Sequence, residues 1–179
     1  NLNAMAANGL LFNNFYSQAP VCSPTRFSCY TGRHPFRVGI WEANVGTLRA
    51  EEITLPEVMK QHGYQTGHFG KWHMGLMVDD PKLAKKTRRM SEAKPQDNGV
   101  DEWFAVHTCV STWNPYGVDG KEAVESNNPY YHNGKRATEN VAGDSSRMIM
   151  DRALPFIKKC VAEKKPFLSY IWFNTPHAP

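Results

Sequence analysis

Residues 166–173 read Pro-Phe-Leu-Ser-Tyr-Ile-Trp-Phe and form the longest apolar run of the chain. A nearly continuous apolar run of this length is typical of a strand that is buried in a parallel sheet. The stretch before it, from about Ser146 to Ala162, predicts a helix. Five apolar side chains share one face of that helix at helical spacing: Ile149, Ala153, Phe156, Ile157 and Cys160. A helix that leads into a buried strand indicates an α/β fold.

The same alternation occurs earlier in the chain. Residues 54–57 form a capping box with a proline near the helix start, which predicts a helix to about His62. A short strand at 64–69 follows, and an earlier helix is predicted at 25–31 after a loop at 20–24. Together these elements predict an α/β sandwich in which helices flank a mainly parallel sheet, with the functional loops at the strand ends.

Composition narrows the class of protein. Hydrophobic residues make up 41% and charged residues 21% of the 179, with a formal net charge of +4, so we expect a globular protein that does not bind nucleic acid. No apolar run is long enough to span a membrane, and no secretory leader begins the chain. The four cysteines have no zinc-like spacing: Cys22, Cys29, Cys109 and Cys160.

Residues 76–98 are rich in lysine and arginine and lack apolar periodicity, so we interpret them as a surface insertion. The basic run inside it is interpreted as a solvated loop, with a subsite for an acidic ligand as the alternative. Its members are Lys82, Lys85, Lys86, Arg88 and Arg89. The pair Asp79–Asp80 is interpreted as solvated surface and not as a metal site.

Residues 20–26 read Pro-Val-Cys-Ser-Pro-Thr-Arg. A group at Cys22 would lie at a helix N-terminus, where free N–H groups favour an anion, and Arg26 would lie on the same side. A phosphatase-type cysteine would have its arginine at position 28, which is Ser, and Cys29 is too distant for a zinc knuckle. On spacing alone, a buried structural cysteine stays open as the alternative.

Two further segments carry groups that suit an anionic ligand. In residues 67–75, Lys71 and His73 are two apart, so an extended chain directs both into one pocket as a cation and a proton-transfer group. The alternative interpretation is that Lys71 and His73 are exposed residues on a glycine-rich turn. His177, in residues 174–179, follows the buried strand, where an α/β sheet presents functional groups.

These segments resemble the motifs of the type I, formylglycine-dependent sulfatases, in particular the arylsulfatases and N-acetylgalactosamine-6-sulfatases. Residues 22–26 resemble the C-[S/A]-P-x-R core and residues 31–33 its T-G-R continuation. Residues 70–75 resemble G-K-W-H-x-G, and 176–179 resemble P-H-x-P. Two smaller segments agree: 12–16 and 98–104, although Ala105 stands where the family usually has Gly.

The resemblance implies a sulfuric ester hydrolase in which Cys22 is oxidised to formylglycine, whose hydrate attacks sulfur. It implies that Arg26 stabilises this nucleophile and that His73 assists the hydrate. Lys71 and His177 are expected to bind the sulfate and to help the leaving oxygen depart. A polar residue after 98–104 lines the pocket in some members, and three candidates stay open: His107, Ser111 and Thr112.

The resemblance also implies an alkaline-phosphatase-like fold, of which residues 1–179 would be the N-terminal part of the catalytic domain. The family binds Ca²⁺, with Mg²⁺ as the alternative. Cys22, as formylglycine, is the one metal ligand expected within the chain, because the others would lie before Asn1 and beyond Pro179. We therefore expect this chain alone to bind the ion weakly and to turn over no substrate.

The implied partners are a sulfate ester, such as a sulfated glycan, and a formylglycine-generating enzyme. For a sulfated glycan, the alternative interpretation of the basic run in residues 76–98 is an outer subsite. The implied location is the periplasm, the cell exterior or the lysosome. Two alternative functions stay open: a formylglycine-dependent phosphonate or phosphodiester hydrolase, and a non-catalytic glycan-binding descendant. The Lys71-Trp72-His73 segment favours the sulfatase.

Overall fold

The computed structural model describes residues 1–79, 90–116 and 128–177. Its helices are α1 (Leu2–Ala7), α2 (Cys22–Thr31), α3 (Leu55–Gln61) and α4 (Ser145–Ala162), with 3₁₀ turns at Pro35–Val38 and Pro95–Asn98. Its strands are β1 (Gln65–Lys71), β2 (Glu102–Val106), β3 (Tyr130–His132), β4 (Lys135–Arg136) and β5 (Phe167–Trp172). Within these ranges, no helix combines the length and apolarity of a membrane span.

The start of α2 differs from the prediction. The sequence predicted a loop to Pro24 and a helix from Thr25, whereas α2 begins at Cys22. A proline in the first turn lacks only an N–H that would have no partner inside the helix, so Pro24 does not prevent an earlier start. Cys22 is therefore the first residue of the helix.

The five strands form one sheet in the order β4-β3-β2-β1-β5. Strand β1 lies between β2 and β5 and pairs in parallel with both, while β3 and β4 add antiparallel pairs. The predicted α/β fold with a parallel core is thus confirmed. Strand β5 is at the edge of the described sheet and is only half-buried along most of its length, so its predicted full burial is wrong for these residues.

Helices cover both faces of the sheet. On one face, Phe27 and Tyr30 of α2 pack with Trp72 and Tyr170. On the other face, the predicted apolar stripe of α4 packs against the sheet, with Ile149, Ala153, Phe156 and Cys160 buried and Ile157 partly buried. The predicted capping box of α3 is also present, because Thr54 and Glu57 exchange side-chain and backbone hydrogen bonds.

The segment 76–98, predicted as a surface insertion, is described only at its two ends. Residues 80–89, which include Asp80 and the basic run, lie outside the described residues. Met77 and Met90 are buried, and Leu76 forms a bridge with Glu92. The ends of the segment are therefore anchored in the core, and the insertion stays a prediction.

Gly70 allows β1 and β5 to approach closely at the strand ends that carry the candidate site. A Cβ at this position would lie 1.9 Å from the carbonyl oxygen of Trp172, and the backbone φ is +114°. We expect Gly70→Ala to lower the free energy of unfolding by at least about 2 kcal/mol more than Gly134→Ala, because only the former overpacks the sheet. Gly134 is the matched control, since it also has positive φ but open space around it.

Chemical denaturation of both variants checks this prediction. Equal losses of stability would show that positive φ alone matters, and that the close approach of the two strands does not.

Candidate active site

Helix α2 presents Cys22 at its N-terminus, half-buried and as a free thiol. The hydroxyl of Thr25 donates to the carbonyl of Ala19 (2.6 Å), which holds the preceding loop against the first turn. A cavity of about 600 Å³ opens beside this turn, with Cys22, Arg26 and Trp172 among its lining residues. The first turn of α2 therefore places the thiol at an accessible, N–H-rich surface.

Arg26 connects this helix with the sheet. Its Nη1 donates to the carbonyl oxygen of Lys71 (2.9 Å), and its guanidinium lies 4.6 Å from the centroid of the Trp172 ring. Burial lowers the pKa of Arg26 to about 10, partly offset by the Cys22 and Cys109 thiols. Its buried Nε has no hydrogen-bond partner among the described residues. An unsatisfied buried donor on a charged group is costly, so this N–H is a site of strain within the described residues.

Lys71 and His177 meet at one sulfur atom. Lys71 ends β1, is 1% exposed, and donates from Nζ to Sγ of Cys109 (2.8 Å). Nε2 of His177, beyond β5, lies 2.8 Å from the same Sγ. The two predicted sulfate-binding residues, which are 106 positions apart in the sequence, are thus separated by a single atom.

Sequence reasoning missed Cys109. The sequence left His107, Ser111 and Thr112 as candidates to line the pocket, and treated Cys109 only as one of four cysteines. The available signal was its position three residues beyond β2, at the edge where parallel strands end. Ser111 is exposed and bonds to the backbone of Trp113 (2.7 Å), so it contacts its own loop.

His73 is buried next to this group in a left-handed conformation with a φ of 58°. Its Nε2 lies 2.7 Å from Oδ1 of Asn44, so Nε2 carries the proton. Burial and the nearby charges of Lys71, His107, Arg26 and His177 lower the pKa of His73 to about 2. Its Nδ1 has no partner among the described residues. His73 is thus a neutral imidazole with an available lone pair.

His107, one of the three candidates left open, lies beside His73. Its carbonyl oxygen accepts from the His73 backbone N–H (3.0 Å), and the two rings are 6.2 Å apart. The carbonyl oxygen of Thr112 instead accepts a hydrogen bond from the backbone N–H of Ser145 (2.9 Å), the first residue of α4. Of the three candidates, His107 is therefore the one in contact with a predicted site residue.

The described residues do not by themselves fit a calcium site. Among residues 1–79, 90–116 and 128–177, no group of three or more His, Cys, Asp or Glu side chains is placed to hold a metal ion. Ca²⁺ takes six to eight oxygen ligands. Asp79 is largely exposed and pairs with Lys94 (3.2 Å), in agreement with its interpretation as solvated surface.

Comparison with known proteins identifies the family to which this chain belongs. The sulfatase family model matches residues 1–179. The chain belongs to the sulfatase family. It is 32% identical to the human N-acetylgalactosamine-6-sulfatase over 100% of this chain and 35% of that protein. It is 30% identical to an ulvan-active sulfatase of Formosa agariphila over 99% of this chain and 30% of that one. This sulfatase chain thus spans about a third of the length of these curated relatives.

Solved structures agree on the fold. The sulfatase chain superimposes on the structure of Ps i-CgsB in complex with k-i-k-neocarrahexaose with a TM-score of 0.72 and 26% identity. The match covers 92% of this chain and 36% of that chain. The expected alkaline-phosphatase-like fold is confirmed for the part of the domain described here.

Proposed function

We propose that the whole protein is a sulfuric ester hydrolase whose nucleophile is a formylglycine made from Cys22. The observation that carries this proposal is the convergence of Lys71 and His177 on one atom, Sγ of Cys109, in a member of the sulfatase family. Arg26 links that group to the helix that presents Cys22. A lysine ammonium and an imidazole nitrogen gathered at one point suit a sulfate group, which concentrates negative charge on its oxygens.

The surroundings of Cys22 fit a modified, oxygen-bearing side chain. Position 22 is the first residue of a helix and borders an open cavity, so a maturation enzyme or a substrate can reach it. Arg26 lines the same cavity and supplies a positive charge there. Conversion of Cys22 would supply a geminal diol, one hydroxyl of which attacks sulfur while the other later releases sulfate.

Arg26 and His73 would prepare this group for attack. Arg26 keeps its charge at neutral pH, since a pKa of about 10 is far above 7, and it stabilises negative charge that develops at position 22. The His73 Nδ1 lone pair can accept a hydroxyl proton, while Asn44 fixes the opposite nitrogen. A bound anion would offset the neighbouring positive charges and raise the pKa of His73 toward a useful range.

Lys71 and His177 would bind the sulfate and help the leaving oxygen depart. Both side chains contact Sγ of Cys109, so a bound sulfate oxygen would replace the thiol as their hydrogen-bond partner. That oxygen carries negative charge, which strengthens the interaction. Lys71 is buried, which strengthens its attraction for an anion because nearby water is excluded.

We further propose a sulfated glycan as the substrate class, because the named relatives include an N-acetylgalactosamine-6-sulfatase and an ulvan-active sulfatase. A formylglycine-generating enzyme as maturation partner and a periplasmic, secreted or lysosomal location belong to the same proposal. Ca²⁺ stays a prediction for the whole protein, since the described residues lack its ligand set.

The test uses the whole protein, co-expressed with a formylglycine-generating enzyme and assayed with matched aryl sulfate and aryl phosphonate esters. We expect the sulfate ester to be hydrolysed with the higher kcat/KM. Preference for the phosphonate by orders of magnitude would make the protein a phosphonate hydrolase. Turnover of neither ester, with Cys22 fully converted, would favour a glycan-binding descendant.

A second experiment tests the sulfate-binding group without turnover. We expect inorganic sulfate at about ten times its dissociation constant to slow alkylation of Cys109 about tenfold, because bound anion occupies the space beside Sγ. Cys29 is the internal control, since it is an exposed free thiol on α2 without contact to Lys71 or His177 in the described structure. Equal rates for Cys109 with and without sulfate, measured by peptide mass spectrometry, would contradict sulfate binding by Lys71 and His177.

A further inference from the structure

A fully buried histidine lies beneath the candidate site and takes no part in the chemistry proposed above. His68, in the middle of β1, is 0% exposed. Its Nδ1 lies 2.7 Å from the hydroxyl of Tyr30 on α2, and its Nε2 lies 3.2 Å from the carbonyl oxygen of Lys71. Both ring nitrogens therefore have partners inside the core.

These partners fix the tautomer of His68. A carbonyl oxygen only accepts, so Nε2 carries a proton and donates to Lys71. Burial and the charge of Arg26 lower the pKa of His68 to about 3, so the ring is neutral and Nδ1 is an acceptor. The Tyr30 hydroxyl must then donate to Nδ1, and burial raises the pKa of Tyr30, so it keeps its proton.

The chain of hydrogen bonds ends at an oxygen that Arg26 also uses. The Lys71 carbonyl accepts from Nη1 of Arg26 (2.9 Å) and from Nε2 of His68 (3.2 Å). A carbonyl oxygen has two lone pairs, so two donors satisfy it and fix its direction. The N–H of the same peptide group, that of Trp72, donates to the carbonyl oxygen of Val106 (2.9 Å), so the group is held from both sides.

We propose that His68, held in one tautomer by Tyr30, is a positioning residue for Arg26 and Lys71. It acts by fixing the Lys71 peptide group, which anchors the Arg26 guanidinium and carries the Lys71 side chain. The proposal rests on the proposed function, because only an active site makes the position of these two cations matter for rate. Without His68, the Lys71 carbonyl loses one of its two donors, while the Trp72–Val106 bond still holds the other side of the peptide group. The carbonyl can then tilt, and both cations shift relative to position 22.

The variants remove the hydrogen-bond chain in matched steps. Tyr30→Phe deletes the hydroxyl, and His68→Met deletes the imidazole. The double variant replaces both side chains with apolar groups, so that neither partner of the Tyr30–His68 bond is left buried and unpaired. Tyr170→Phe is the control, because the Tyr170 ring stacks on Tyr30 at 4.5 Å while its buried hydroxyl has no partner among the described residues.

Spectroscopy tests the proposal without any need for turnover. In ¹⁵N-labelled whole protein, we expect His68 to show a protonated Nε2 and an unprotonated Nδ1 at neutral pH. We expect separate Nη signals for Arg26, assigned with Arg26→Lys, because its rotation is restricted. These signals should merge in the double variant and stay separate in Tyr170→Phe. A proton on Nδ1, or separate Arg26 signals in the double variant, would overturn the proposal.

Kinetics test its consequence for catalysis. With kcat corrected for the fraction of Cys22 converted, we expect His68→Met and the double variant to lose about tenfold in kcat with KM nearly unchanged, because small displacements of positioned groups are costly. The two losses should be equal, since both variants break one chain. A merely structural role would lower the thermal midpoint and leave kcat unchanged, which would overturn the proposal. An inactive wild type would instead refute the proposed function, and the Arg26 signals would still decide the positioning role.

Discussion

Cys22→Ala is expected to reduce hydrolysis of sulfate esters by the whole protein on the order of a millionfold in kcat, the scale seen when a covalent nucleophile is removed. Alanine has no sulfur to oxidise, so no diol can form at position 22. The fold should persist, because Cys22 is a half-buried first residue of a helix and alanine has high helix propensity. Steady-state kinetics and a thermal melt of the same sample check both statements.

Cys29→Ala is the matched control for this variant. Cys29 is another free cysteine of α2, one that is exposed. We expect it to keep wild-type kcat. Wild-type turnover by Cys22→Ala would contradict the proposed nucleophile, whereas equal losses in both variants would point to damage to α2 and not to lost chemistry.

Lys71→Met is expected to lower kcat/KM on the order of a hundredfold or more, because it removes a preorganised positive charge from the sulfate-binding group. The same change should leave the free energy of unfolding equal or raise it. Lys71 is 1% exposed, and an ammonium group held out of water is costly, whereas methionine fills a similar volume. Opposite signs for activity and stability distinguish a functional charge from a structural one.

Lys60→Met controls for the loss of a lysine near the same sheet. Lys60 is about half exposed and pairs with Asp101, whereas Lys71 is the lysine that contacts Cys109. We expect little change in kcat/KM and a small change in stability, as is usual for exposed ion pairs. If Lys71→Met lowered stability and kept wild-type kcat/KM, the buried lysine would be structural.

The sequence predicted the main elements of the fold because their patterns are local. The stripe of α4 and the capping box of α3 depend on neighbours within one or two turns, and both are present. The burial of β5 was predicted wrongly, since an apolar run does not reveal how many strands lie beside it. The start of α2 was predicted late because a proline was taken as a barrier, although a first turn accommodates it.

The candidate site was predicted only in part, because its contacts join residues that are far apart in the sequence. The resemblance to sulfatase motifs indicated Lys71 and His177 as a pair, but no local pattern indicated that Cys109 lies between them. The Tyr30–His68 bond joins residues 38 positions apart, and its parts look like ordinary members of a helix and a strand. Such contacts arise only when α2 packs on the sheet, so they had to be read from the structure.

The most direct test of the central claim is peptide mass spectrometry across position 22, on protein co-expressed with a formylglycine-generating enzyme. Trypsin should release a peptide that ends at Arg26 and in which Cys22 is the only cysteine among residues 1–26, while Cys29 falls in residues 27–33. We predict a loss of about 18 Da from the thiol form, as the activated nucleophile is made by conversion of CH₂SH to an aldehyde. An unmodified Cys22, while a known substrate peptide is converted in the same cells, would contradict the account.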